Sequence, residues 1–207
     1  MTSRLRRFVG AQPAAAEPVA VQQQVERCEM CTAQVAPEHG HVVDVEHRSL
    51  MCACRPCYLL FVKGDNGRYR AVPDRYLVGP GLTPQEWQGL GLPISTAFFL
   101  RGDSGLGVFY PSPAGATECL LDLDVWSGLT RAHPMLGQAR PEVEAILIRQ
   151  VESDVECYLV PIDACYQLVG TVRLYWKGFD GGEEARERID AFFADIRSKA
   201  KPFGLEA

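Results

Sequence analysis

The segment that decides the reading runs from Cys28 to Cys57: Cys28-Glu-Met-Cys31, then 22 residues, then Cys54-Arg-Pro-Cys57. A Cys-x2-Cys pair closes a tight turn whose two sulfurs converge on one point. Two such turns supply four thiolates, the tetrahedral set that zinc accepts. The residues between them fit the same plan. His41-Val-Val-Asp-Val45 and Ser49-Leu-Met-Cys-Ala53 read as two short strands joined at Glu46-His47-Arg48. Knuckle, hairpin, knuckle is the layout of a zinc ribbon, and Cys28, Cys31, Cys54 and Cys57 are the expected metal ligands. Cys52 could replace Cys54 only by spoiling the second turn, so it is expected to stay off the metal. His39, His41 and His47 lie in the same loop. A histidine ligand would make one of the four cysteines dispensable, so they are read as surface groups or as supports behind the ligands. Iron is the rival metal, because rubredoxin-type sites also use two such turns. Those sites usually carry Gly after each second cysteine, where this chain has Thr32 and Tyr58, which weighs for zinc.

Around that segment lies an ordinary globular composition. The chain has 207 residues, 47% of them apolar and 23% charged, enough for a real core. No apolar run is long enough for a transmembrane helix. The net charge is −5, which argues against holding nucleic acid by phosphate neutralisation. Arg6-Arg7-Phe8-Val9 has the look of an export signal, but Gln12, Pro13, Glu17 and Pro18 interrupt the apolar run it would need. Residues 1–24 are therefore expected to be a tail and linker, residues 25–62 the metal module and residues 63–207 a separate α+β domain in a cytoplasmic protein. In that compartment clustered cysteines signal metal or catalysis more often than disulfides.

The larger domain is legible in outline. Residues 58–62 read as a short apolar strand or the last layer of the ribbon, 63–67 as a turn, and 68–78 as extended. Thr83-Pro-Gln-Glu86 starts a helix, with Thr83 as N-cap, Pro84 in the first turn and Glu86 closing a capping box; Gly89 and Gly91 end it. Residues 96–101, 106–110 and 118–122 form consecutive strands separated by turn chemistry, and 143–150 and 155–160 form another pair. Connections this short require antiparallel pairing. Residues 125–131 read as a short helix. Two helices follow at the end, one with Ile162, Cys165, Tyr166, Val169, Val172 and Trp176 on its apolar face, the next with Ile189, Phe192, Phe193 and Ile196. Strands first and helices last predict an α+β fold: a mainly antiparallel sheet with C-terminal helices covering one face.

No catalytic constellation stands out. Asp122 and Asp124 read as strand-end and helix-cap residues. His133 is a lone loop histidine, and Cys119, Cys157 and Cys165 sit at core positions where a thiol behaves as a small hydrophobe. Residues 111–117 are rich in small side chains but lack a phosphate-loop lysine. What remains is a surface. Arg55, Tyr58 and Phe61 flank the second cysteine pair and are the side chains singled out for docking a protein partner. The competing reading is that Tyr58 and Phe61 pack the module onto the body.

Several stretches carry a resemblance: Leu5-Arg-Arg-Phe8, the Cys28-Glu-Met-Cys31 turn, Leu50-Met-Cys-Ala-Cys-Arg-Pro-Cys57, Tyr110-Pro-Ser-Pro-Ala-Gly-Ala-Thr-Glu118, and Leu159-Val-Pro-Ile-Asp-Ala-Cys-Tyr166 through Trp176-Lys-Gly-Phe-Asp-Gly-Gly182. Together they resemble an uncharacterised bacterial domain-of-unknown-function family whose genes often neighbour nickel–iron hydrogenase clusters. The resemblance implies an accessory or interaction protein serving assembly, maturation or docking of such a hydrogenase, with a hydrogenase subunit or another accessory protein as partner. The alternative it leaves is a rubredoxin-like iron protein passing electrons to or from that enzyme.

Overall fold

The computed structural model describes residues 25–62, 67–92, 94–102 and 105–204. The 1–24 tail, the greater part of the 63–67 turn and Asp103-Ser104 lie outside that set. Two sheets organise the chain. The smaller has strand order β2-β1-β3, from β1 (Gly40–Asp44), β2 (Ser49–Ala53) and β3 (Tyr69–Ala71). Its third strand comes from beyond residue 62 and pairs antiparallel with β1, Val43 opposite Arg70.

The larger sheet runs β10-β4-β9-β8-β5-β6-β7. Its strands are β4 (Leu77–Val78), β5 (Thr96–Gly102), β6 (Gly105–Ser112), β7 (Gly115–Cys119), β8 (Glu144–Val151), β9 (Asp154–Pro161) and β10 (Lys201–Pro202). Every pairing is antiparallel except β10 with β4. At the centre, β8 and β9 pair over their full length, from Glu144 opposite Pro161 to Val151 opposite Asp154. Both are nearly continuous apolar runs, which is what a strand covered on both faces requires.

The last two helices cover one face of this sheet as expected, and the other face is covered as well. Alternate side chains along each strand point to opposite sides. Phe99, Ile146, Ile148, Cys157 and Leu159 face a core that includes Trp87 of helix α2 (Pro84–Gly89) and Trp126 and Leu129 of helix α3 (Leu123–Ala132). The Phe99 and Trp126 rings stack there with centroids 4.4 Å apart. Phe98, Ala145, Leu147, Tyr158 and Val160 face the second core, under α4 (Ile162–Tyr175) and α5 (Gly182–Lys199). The result is a mixed α+β protein, rich in antiparallel pairing, with its last two helices on one side.

Other local expectations are met or shifted. The capping box is present: Glu86 N donates to Thr83 Oγ1 at 3.2 Å, and Thr83 N donates to the Glu86 carboxylate at 2.7 Å. Asp122 caps α3 by accepting from Asp124 N at 2.9 Å. The strand expected at 118–122 instead spans Gly115–Cys119. Ser112 Oγ donates to the Gly115 carbonyl and Gly115 has φ +126°, so the turn closes over two residues and pairing begins at Ser112 opposite Gly115. On α4 the buried face is Ile162, Ala164, Cys165, Leu168 and Val172, whereas Tyr166 is exposed. Leu168 continues the spacing from Cys165 to Val172, and Tyr166 is rotated about 100° from that stripe.

One charge is fully buried. Glu144 opens β8 with no exposed surface and accepts from Arg75 Nε at 2.8 Å, Arg75 Nη2 at 2.6 Å and the Arg140 amide at 2.8 Å.

Candidate metal centre

The first turn of the centre is a small hairpin. An Arg27–Gln34 bridge closes it, Cys28 N donates to the Ala33 carbonyl at 2.8 Å, and Thr32 N donates to the Cys28 carbonyl at 2.8 Å. Thr32 takes φ +63°, the left-handed conformation that glycine adopts most easily. Thus a threonine does here what the sequence comparison assigned to glycine. Glu29 fastens the turn to β2: its amide donates to the Cys52 carbonyl at 2.9 Å, and its carboxylate accepts from Cys52 N at 2.6 Å.

The second pair is built differently from the first. Cys54 is the N-cap of a short helix, α1 (Arg55–Leu59), with Pro56 in its first turn. Cys57 lies in that first turn, and Tyr58 N donates to the Cys54 carbonyl at 2.9 Å. The strand expected over 58–62 is therefore corrected to helix and turn. Proline suits the first helical turn because it lacks an N–H that would have no partner there, and Cys54 takes the extended conformation of an N-cap at φ −68°, ψ 159°. The module is a knuckle, a hairpin and a helix start.

These elements bring together the four expected ligands. The sulfurs of Cys28, Cys31, Cys54 and Cys57 all lie within 4.8 Å of one another. A metal with four tetrahedral thiolate bonds of about 2.3 Å sets the sulfurs about 3.8 Å apart, and Cys31 Sγ stands 3.5 Å from Cys54 Sγ. All eight cysteines are free thiols. Burial pushes the Cys28 thiol up, but the amides of Cys54, Cys31 and Met30 directed at its sulfur outweigh this and bring it down to about 6. Cys57 moves the other way: contact with the Cys54 and Cys31 sulfurs, then burial, push it up to about 12. Thiols this crowded resist sharing negative charge, and a bound cation removes the conflict. The donor set thus fits a soft or borderline metal.

Cys52 stays outside this cluster. It faces His41 across the β1–β2 pair, and its sulfur groups with ring nitrogens of His39 and His41 within 4.8 Å. Sequence reasoning treated these three separately. The signal that joins them is strand register, since His39 and His41 are two residues apart and Cys52 sits directly opposite the second. His41 also reaches the body: its Nδ1 donates to Asp163 Oδ2 at 2.8 Å, between residues 122 positions apart. A cleft of about 870 Å³ lies along this junction, lined by His39, His41, Tyr58, Pro73, Tyr76 and Asp163 among others.

A third group, Asp44, Glu46 and His47, is accounted for by Arg68. Its guanidinium lies 2.7 Å from Asp44 and 3.0 Å from Glu46 and holds the Asp44 carboxyl far below the usual range against the opposing effect of burial. Elsewhere, His133 Nε2 bonds Glu86 at 2.9 Å, so the lone loop histidine ties α3 to the capping box of α2. Cys157 and Cys165 are buried in the core, and burial raises both thiols, Cys157 to about 12.

The expected docking trio divides. Tyr58 turns inward: its hydroxyl donates to the Val72 carbonyl at 2.9 Å, and its ring lies so close to Gly40 that a β-carbon there would meet it at 2.7 Å. Phe61 packs against Tyr69, centroids 5.5 Å apart. Arg55 remains exposed, and the exposed apolar side chains beside it are Leu59, Leu60 and Val62.

Fold and site together define a mixed α+β protein with a four-cysteine centre built on its N-terminal sheet. The chain belongs to a family of unknown function, DUF5947, whose profile spans residues 27–200. No curated protein and no solved structure matches the chain. No helix among the described residues is long and apolar enough to cross a membrane.

Proposed function

We propose that this chain is a zinc-binding accessory or interaction protein in which zinc at Cys28, Cys31, Cys54 and Cys57 is structural. The observation that carries the reading is the convergence of four free thiols within 4.8 Å from a hairpin and a helix start. Zinc fixes those two pieces at one point and so presents α1, with Arg55, Leu59 and Leu60 on its surface, as a rigid docking element. The partner is a protein. The resemblance in the cysteine turns and the C-terminal segments supports a hydrogenase subunit or a companion accessory protein, in the cytoplasm, as that partner.

The rival is iron, and one feature favours it specifically. Amides of Met30 and Cys31 point at the Cys28 sulfur, an arrangement that also stabilises ferric thiolate. Protein purified without oxygen from its native host decides between them by metal analysis and visible absorption. One tightly held zinc per chain and no colour is the expected result. A red chromophore with stoichiometric iron overturns it in favour of electron transfer.

A further inference from the structure

We propose that His39, His41 and Cys52 form a second, exchangeable transition-metal site. The two histidine Nε2 atoms and the cysteine sulfur are the protein ligands, and the remaining coordination position opens to the cleft between the metal module and the body.

The tautomers point to this. His39 Nδ1 is 2.8 Å from the Ala36 carbonyl. A carbonyl only accepts, so Nδ1 carries the proton and Nε2 keeps its lone pair. That Nε2 is buried and has no hydrogen-bond partner, on a side chain only 8% exposed. A buried acceptor without a partner costs free energy and asks for an explanation. His41 is held in the same state, because its Nδ1 donates to the Asp163 carboxylate. Carboxylate, imidazole and metal in line is the usual support of a metal-bound histidine: it fixes the ring and raises the basicity of the free nitrogen. Asp163 comes from the first turn of α4, so the module and the body build this arrangement jointly.

The third ligand follows from register. Cys52 is the cross-strand partner of His41, and His39 lies one pleat away, with its ring centroid 4.8 Å from that of His41. One ring nitrogen of each histidine and the cysteine sulfur lie within 4.8 Å of one another. Bonds of about 2.0 Å to nitrogen and 2.3 Å to sulfur require the widest gap to close by at most about 1.5 Å, which side-chain rotation supplies. Glu26 Oε2 lies 3.6 Å from His39 Nδ1 and the Glu29 carboxylate accepts from the Cys52 amide at 2.6 Å, and both add negative potential that favours a cation. Two imidazoles and one thiolate suit zinc and its neighbours in the first transition row, and three protein ligands with one open position describe a site that exchanges metal or binds a further ligand.

The test uses the full chain with its tight metal in place, dialysed free of loosely held metal and titrated anaerobically with Co²⁺. One additional equivalent is expected, with d–d bands of low-symmetry cobalt and a thiolate charge-transfer band. His39→Gln and His41→Gln should each weaken this equivalent at least tenfold, Cys52→Ser should remove the charge-transfer band, and Asp163→Asn should weaken binding about 10- to 100-fold. All four should keep the tight metal and the wild-type circular dichroism. A second readout needs no variant: added Zn²⁺ should protect Cys52 from iodoacetamide, mapped by mass spectrometry. No additional equivalent in the wild type, an equivalent indifferent to His41→Gln, or unchanged Cys52 labelling overturns the site. The four-cysteine reading fails separately, by loss of the tight metal from the wild type itself.

Discussion

Replacing Cys54 by serine removes one of four thiolates while leaving nearly every other contact of the module in place. Val35, Val42 and Ala53 are buried side chains of this segment outside both cores of the larger sheet, whereas Val43 belongs to the second core. Burying a valine is worth about 1.5–3 kcal/mol, whereas thiolate zinc binding contributes about 10–16 kcal/mol of folding free energy in small metal domains. Zinc at the four cysteines is therefore expected to contribute more to holding this segment in place than those three side chains do. Cys54→Ser should lose the tight metal and unfold that segment, while the seven-stranded sheet persists on its own two cores. Amide hydrogen exchange resolves the two parts. Protection should vanish at Val42 of β1, which lies outside both cores, and survive at Ile146, Leu147 and Ile148 of β8, which lie between them. Cys119→Ser is the control, since Cys119 packs against the first core and is distant from the cluster in sequence and register. Equal metal loss in both variants, or intact β1 protection in metal-free Cys54→Ser, would refute the reasoning.

Glu144→Ala removes the carboxylate from Arg75, whose side chain is a quarter exposed and also donates to the Gln138 carbonyl, and should cost about 1–3 kcal/mol by chemical denaturation; a loss below about 0.5 kcal/mol would refute a stabilising pair. Glu86 offers a pH test. The hydrogen bond from His133 and the amide of Thr83 hold its carboxyl down at about 2, below the unfolded value of about 4.3. A depressed carboxyl stabilises the fold above its unfolded value and loses that contribution as pH falls toward the folded one, so the wild type should lose more stability between about pH 4.5 and 2 than Glu86→Gln, and parallel acid limbs would count against the contact. At the docking element, Arg55→Glu combined with Leu60→Asp should abolish co-purification of a partner from the native host without loss of metal or thermal stability. Undiminished co-purification would move the interface away from α1.

What local sequence determines here is determined by short-range chemistry. The Cys-x2-Cys spacing brings two sulfurs together whatever the rest of the chain does, so Cys28, Cys31, Cys54 and Cys57 were readable as one cluster. Thr83, Pro84 and Glu86 satisfy one another within a single turn, and the apolar runs of β8 and β9 carry their own strand signal. Residues 58–62 are apolar enough for a strand, but the helix start at Cys54 with Pro56 in its first turn carries the chain into helix and turn instead. The rest depended on distant partners. Whether α2 and α3 share a face with α4 and α5 is set by the order in which strands join the sheet, and hydrophobic periodicity is silent on that order. Nothing in the sequence near Glu144 points to Arg75, 69 positions away, as its partner. His39, His41 and Cys52 become one group only through β1–β2 register, and Asp163 joins them from 122 residues away. Spacing in the sequence specifies neighbours within a few residues; proximity across the fold comes from the balance of burial and chain closure over the whole molecule, and only the tertiary structure records its outcome.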